Sequence, residues 1–172
     1  MTAVTSISLM FLMPVFGLSQ GMQTIIAYNY GAKQIDRAKK TLLMALVAAT
    51  GLLAVGCILI QMFPEFFVSI FTKDKGLMDL AVNGININLI TLPTIGISVL
   101  GSVYFQCIGR AKLSMILSIL RQVIILIPVI LVVPKICGLN GVWLSQPIAD
   151  IGAMIIIGNF LLKEFKVKNI EL

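Results

Sequence analysis

Charged residues in this chain arrive in bursts, and the stretches between the bursts are long enough to cross a lipid bilayer. Residues 1–32 carry no charge, residues 41–64 carry none, and residues 80–109 carry none. Between Lys112 and Lys163 the only charged residues are Arg121, Lys135 and Asp150. A hydrocarbon core about 30 Å thick is crossed by about 20 apolar residues in a helix, whose backbone bonds are satisfied internally. This pattern predicts an all-α integral membrane protein with about five transmembrane helices. Composition agrees: hydrophobic residues make up 59% and charged residues 12% of the 172. Soluble domains carry roughly 25% charged residues, and a mean hydropathy of +1.04 leaves too much apolar surface for a water-soluble fold of this size.

The predicted spans cover residues 4–31, 41–63, 82–107, 114–133 and 141–162, and together they make residues 1–172 one unit. Pro14 lies inside the first span and Gly31 is its expected stop. Pro64 closes the second, and Pro93 breaks the third. Between them, residues 64–79 hold an aromatic patch (Phe66, Phe67, Phe71), with Asp74 as the expected N-cap of the helix that resumes.

Every second connection is basic. One side collects Lys33, Arg37, Lys39, Lys40, Arg110, Lys112, Lys163, Lys166 and Lys168, whereas the other has Lys73, Lys75 and Lys135. Basic residues flanking spans stay in the cytoplasm, so a cell (inner) membrane location is expected with the C-terminus cytoplasmic and the N-terminus outside. An odd number of spans starting outside, with no positive charge before the first, is the pattern of a chain whose earlier helices are missing. Met1 is therefore expected to mark a truncated start.

Several functions are excluded on composition. The net charge of +6 is concentrated at helix ends, with no basic face interleaved with aromatics, so no nucleic acid partner is expected. Cys57 and Cys107 lie in apolar stretches, as packing residues do, and Cys137 lies in a connection. The chain has no histidine. No metal site, catalytic residue or cofactor is expected, and a membrane-embedded enzyme would need clustered groups that this sequence lacks.

Four motifs carry a family resemblance. Pro14-Val-Phe-Gly-Leu-Ser-Gln-Gly-Met-Gln23 runs into Tyr28-Asn-Tyr-Gly-Ala-Lys33; Gly109-Arg-Ala-Lys112 follows the third span; Leu120-Arg-Gln122 lies in the fourth; and Gly138-Leu-Asn-Gly-Val-Trp143 leads to Pro147-Ile-Ala-Asp150. In this order and spacing the chain resembles helices 8–12 of the multidrug and toxin extrusion (MATE) transporters. Thr24 and Ala27 stand where many relatives have Pro and Gly. The resemblance implies a two-lobed secondary antiporter that exports organic, often cationic, drugs in exchange for protons or sodium ions. Its partners would be a drug-like substrate, membrane lipids and the missing N-terminal lobe, and this fragment alone would be inactive. Some sodium-coupled members carry an acid in the second lobe; none lies between Val82 and Cys107, which places coupling in the absent lobe. Alternatives are a lipid-linked sugar flippase of the same superfamily, or a non-transporting truncated product.

Polar residues inside the spans are the site candidates. Gln20 and Gln23 read either as cavity walls or as interhelical hydrogen-bonding groups. Asn88, Thr91 and Thr94 share a helix face beside the Pro93 break, where freed carbonyls line cavities in transporters. Arg121 and Asp150 are the charges within spans, and either one facing lipid costs about 2.5–3.5 kcal/mol. They are expected to turn inward as one network with Ser118 and Gln146, with a structural role within the lobe favoured over a role in transport. Their helix positions differ in height by about 8 Å, which is long for direct contact although an arginine side chain reaches far; a bridging water is the alternative.

Overall fold

The computed structural model describes residues 2–70 and 75–168. The first helix, α1, runs Thr2–Gly31 with Pro14 accommodated inside it. It stops where expected, but the left-handed residue that turns the chain is Lys33 (φ 59°), not Gly31. Ala32 N–H still bonds back to the Tyr28 carbonyl at 3.0 Å, and Gln34 N–H to the Asn29 carbonyl at 2.8 Å.

Helix α2, Ile35–Met62, starts well before the predicted residue 41. The basic segment is itself helical, because Arg37 to Lys40 are good helix formers, Asp36 suits the first turn, and the charged ends reach water beyond the apolar part. Its buried stripe, including Ala38, Leu42, Ala45, Ala49, Leu53 and Ile60, repeats at three- and four-residue steps and faces the bundle. Pro64 opens a short α3, Pro64–Ser69. Phe71 and Asp74 lie outside the described residues, and Phe66 and Phe67 pack edge to face at 5.7 Å.

The third predicted span is two helices joined by a tight turn. Helix α4, Lys75–Asn88, leads into a 3-10 turn at Leu89–Thr91, and α5 follows at Leu92–Cys107 with Pro93 in its first turn. Proline cannot accept a helical neighbour behind it without strain, so the break falls just before Pro93. Cys57 Sγ–H, on α2, donates to the Leu89 carbonyl at the break (3.3 Å).

After Gly109, whose φ of 81° makes the turn, α6 (Ala111–Ile119) passes through a π-wound turn at Leu120–Ile125 into α7 (Leu126–Lys168). Helix α7 is two arms. Gly138 has φ 59° and ψ −138°, a conformation for glycine alone, and the chain doubles back there. The arms touch: a Cβ on Gly141 would lie 2.5 Å from the Val133 carbonyl oxygen.

Helix α5 is the hub, with Leu92, Leu100, Tyr104 and Phe105 all fully buried between α1, α2 and α7. Among the described residues, four stretches are long and apolar enough to cross a membrane: Val4–Gly31, Ile35–Met62, Gly84–Cys107 and Ala111–Lys135. The predicted span 141–162 occupies the second arm of α7, with Asp150 its one charged residue. Outward faces carry large apolar side chains, among them Met13, Val47, Ile58, Met115 and Leu131. Such a continuous apolar surface belongs in lipid. The protein is a multi-pass α-helical membrane protein.

Candidate functional site

The deepest charged group is Asp150, with 0% exposure, in the second arm of α7. Arg121 reaches it from the π-wound turn. Its Nη2 lies 2.8 Å from Oδ1, and its Nε–H donates to the same oxygen at 3.0 Å. The pair is in direct contact, so of the two arrangements the helix heights left open it is the arginine's reach that prevails. The π turn re-aims the side chains along its length, and an arginine spans several ångströms. Gln146, one turn before Asp150, lies beside the carboxylate. Oδ2 is buried and makes no regular hydrogen bond among the described residues.

Two cavities border Arg121. The first, about 330 Å³, lies between the start of α1, the 3-10 break, the π turn and the second arm of α7. Its walls are mainly apolar, and its polar groups are Thr5, Ser8, Asn88, Arg121, Ser145 and Gln146. The second, about 310 Å³, lies between α5, α6 and α7 and is more polar, with Ser98, Ser102, Gln106, Ser118, Arg121 and Gln122 in its lining. Arg121 lines both.

The sequence candidates separate. Asn88 lines the first cavity and its Nδ2 donates to the Trp143 carbonyl at 3.5 Å. Thr91 and Thr94 turn their hydroxyls back on their own helix, to the Asn88 carbonyl (3.4 Å) and the Thr91 carbonyl (2.7 Å). They shape the break and line neither cavity. Gln20 is exposed and Gln23 half-buried on the later part of α1, also away from both. Ser118 joins Arg121 in the second cavity and Gln146 joins it in the first.

Sequence reasoning missed Trp143 and, in the second cavity, Ser98 and Ser102. Trp143 is 8% exposed and packs onto Gly84, where a Cβ would meet its ring at 2.8 Å. The four-residue step from Ser98 to Ser102 on one face of α5 was the available signal for the second cavity. Also missed was a cluster at one end of the bundle. Arg110 Nη1 sits 2.6 Å from Glu164 Oε2, Lys39 stacks over the Phe165 ring at 5.8 Å, and Tyr104 meets that ring edge-on. These contacts gather the start of α2, the α5–α6 connection and the end of α7 on one side. No group of three or more potential metal ligands occurs among the described residues.

A multi-pass helical bundle with a broken helix and a buried ion pair whose arginine lines two cavities has the build of a membrane transporter. The MatE family matches residues 1–132, and the chain belongs to that family. Multidrug export protein MepA of Staphylococcus aureus (strain bovine RF122 / ET3-1) is 28% identical over 155 residues, covering 87% of this chain and 33% of the relative. MepA of Staphylococcus haemolyticus is 29% identical over 136 residues, covering 79% of this chain and 30% of the relative. Among solved structures, a ligand complex of the MATE multidrug transporter DinF-BH is 36% identical with a TM-score of 0.84, over 91% of this chain and 35% of that one. An outward-facing MATE transporter shares the fold at 20% identity, with a TM-score of 0.89 over 99% of this chain and 38% of that one. The chain thus spans about a third of the length of these relatives.

Proposed function

We propose that this chain forms most of the second lobe of a secondary efflux antiporter that exports organic, often cationic, drugs in exchange for a cation, proton or sodium. The observation that carries the reading is an intramembrane ion pair whose arginine lines both cavities, in a chain of the MatE family. Ionisable groups at membrane depth mark transport pathways. The drug as substrate is supported by relatives named as multidrug exporters and by a solved multidrug transporter that holds a bound small molecule.

Transport needs a facing lobe against which this one can rock, and these 172 residues alone do not export. The basic end gathered around Arg110, Glu164 and Lys39 faces the cytoplasm, because nine basic residues lie in the connections on that side and three on the other. The membrane is the cell membrane, and the lipids around the apolar faces are its other partners. No tightly bound cofactor takes part. Dye retention in an efflux-deficient host tests the reading: cells expressing the chain alone retain dye like empty-vector cells. Gradient-dependent dye loss from those cells would show that a facing lobe is unnecessary.

A further inference from the structure

Polar residues on the two sides of the α5–α6 turn match one another. Gln106, Ser102 and Ser98 stand four, eight and twelve residues before Arg110, and Ser114, Ser118 and Gln122 stand four, eight and twelve after it. Four-residue steps keep each set on one helix face, and all six line the second cavity, of about 310 Å³. The turn at Gly109 lays the two helices back against each other, so residues equally far from it reach similar heights. The result is a ladder of hydroxyls and amides that climbs about 15 Å from the turn. Arg121 stands beside its last rung and lines the same cavity.

Packing does not use these groups up. Ser98 and Ser102 are buried and donate to the Thr94 and Ser98 carbonyls at 3.2 Å and 2.9 Å. Gln106, Ser118 and Gln122 are exposed, and their side chains make no hydrogen bond among the described residues. Polar groups left unpaired against hydrocarbon are costly, so this groove is built to meet something other than lipid. Arg121 also has donors to spare. Its Nε and one Nη2 N–H face Asp150 Oδ1, whereas Nη1 has no partner among the described residues. The open Nη1–Nη2 edge of a guanidinium matches a planar carboxylate.

We propose that the α5–α6 groove is a subsite for a carboxylate group of the exported compound, received by Arg121. This rests on the efflux reading and names the substrate class that this lobe favours: zwitterions whose carboxylate lies apart from their positive charge. A cation gains little in the groove, because no acidic side chain is among its described lining and its one charge is positive. The ladder supplies hydrogen bonds along the rest of the molecule, which enters carboxylate first.

The test uses two dyes that differ only at that group: rhodamine 19, which has a free carboxylate, and its ethyl ester, rhodamine 6G. Binding to the purified full chain in lipid nanodiscs is read by fluorescence anisotropy, with empty nanodiscs subtracted. The acid is expected to bind about tenfold more tightly than the ester, the worth of a charge-assisted hydrogen bond. The paired substitution Arg121→Leu with Asp150→Leu, which strands no charge, should bring the acid down to the level of the ester. Ser118→Val, which fills the middle rung and leaves the ion pair in place, should do the same even if the paired variant folds poorly. Equal binding of the two dyes by the wild type, or a preference for the acid that survives Ser118→Val, overturns the proposal. Gradient-dependent export of the ester by MepA carrying these residues, with no preference for the acid in the purified chain, would overturn the subsite and leave the efflux reading standing.

Discussion

Arg121 holds Asp150 by a single carboxylate oxygen, at 2.8 Å and 3.0 Å, across the gap between a π-wound turn and a neighbouring helix. Removing one partner strands the other charge at membrane depth, a loss of about 3–5 kcal/mol for a buried pair, whereas removing both costs far less. In the purified chain, Arg121→Leu and Asp150→Leu are each expected to lower the thermal midpoint strongly, with the double variant more stable than either single one. Additive losses would mean that the charges are stabilised separately.

The reversal in α7 depends on two glycines. Gly138→Ala forces a side chain into a conformation costing about 1–3 kcal/mol, and Gly141→Ala drives a methyl group into the Val133 carbonyl, which has no freedom to move aside. Both should lower the thermal midpoint. Gly158→Ala, with open space at its Cβ position, should be neutral or slightly stabilising, by up to about 1 kcal/mol in a helix.

Trp143 is the only tryptophan, so it reports on the first cavity without labelling. Gly84→Ala places a methyl group 2.8 Å from its ring. The ring must shift, and the emission maximum or quantum yield should change. An unchanged spectrum would mean that α4 moves away from the indole instead.

How much of this was legible in the sequence follows from what membrane burial demands. The helices and the inward turning of Arg121 and Asp150 could be read because lipid penalises charge and open backbone at every position. The direct contact between the pair could not, because it depends on a π turn that no hydropathy pattern marks. The early start of α2 was hidden for a related reason: charged helix formers extend a helix into water without extending its apolar run. Thr91 and Thr94 matched the helical spacing expected of a cavity face, yet their hydroxyls had a nearer acceptor in their own backbone. Gln20 is exposed and Gln23 half-buried on a part of α1 that lies away from both cavities.

The orientation is open to cysteine labelling in a background without Cys57, Cys107 and Cys137. Lys40 and Lys135 are both exposed, and at opposite ends of the bundle a membrane-impermeant reagent added to intact cells should reach Lys135→Cys and not Lys40→Cys. Labelling at position 40 from outside reverses the orientation.

The central claim is that these residues act as part of a drug-exporting lobe. It is tested most directly by replacing the corresponding third of the Staphylococcus aureus MepA relative with this chain and measuring efflux of a cationic rhodamine dye from energised cells. The account predicts gradient-dependent efflux by the chimera and none by the 172 residues alone. A chimera that is folded and inserted yet exports nothing, or export by the chain without a second lobe, would contradict it.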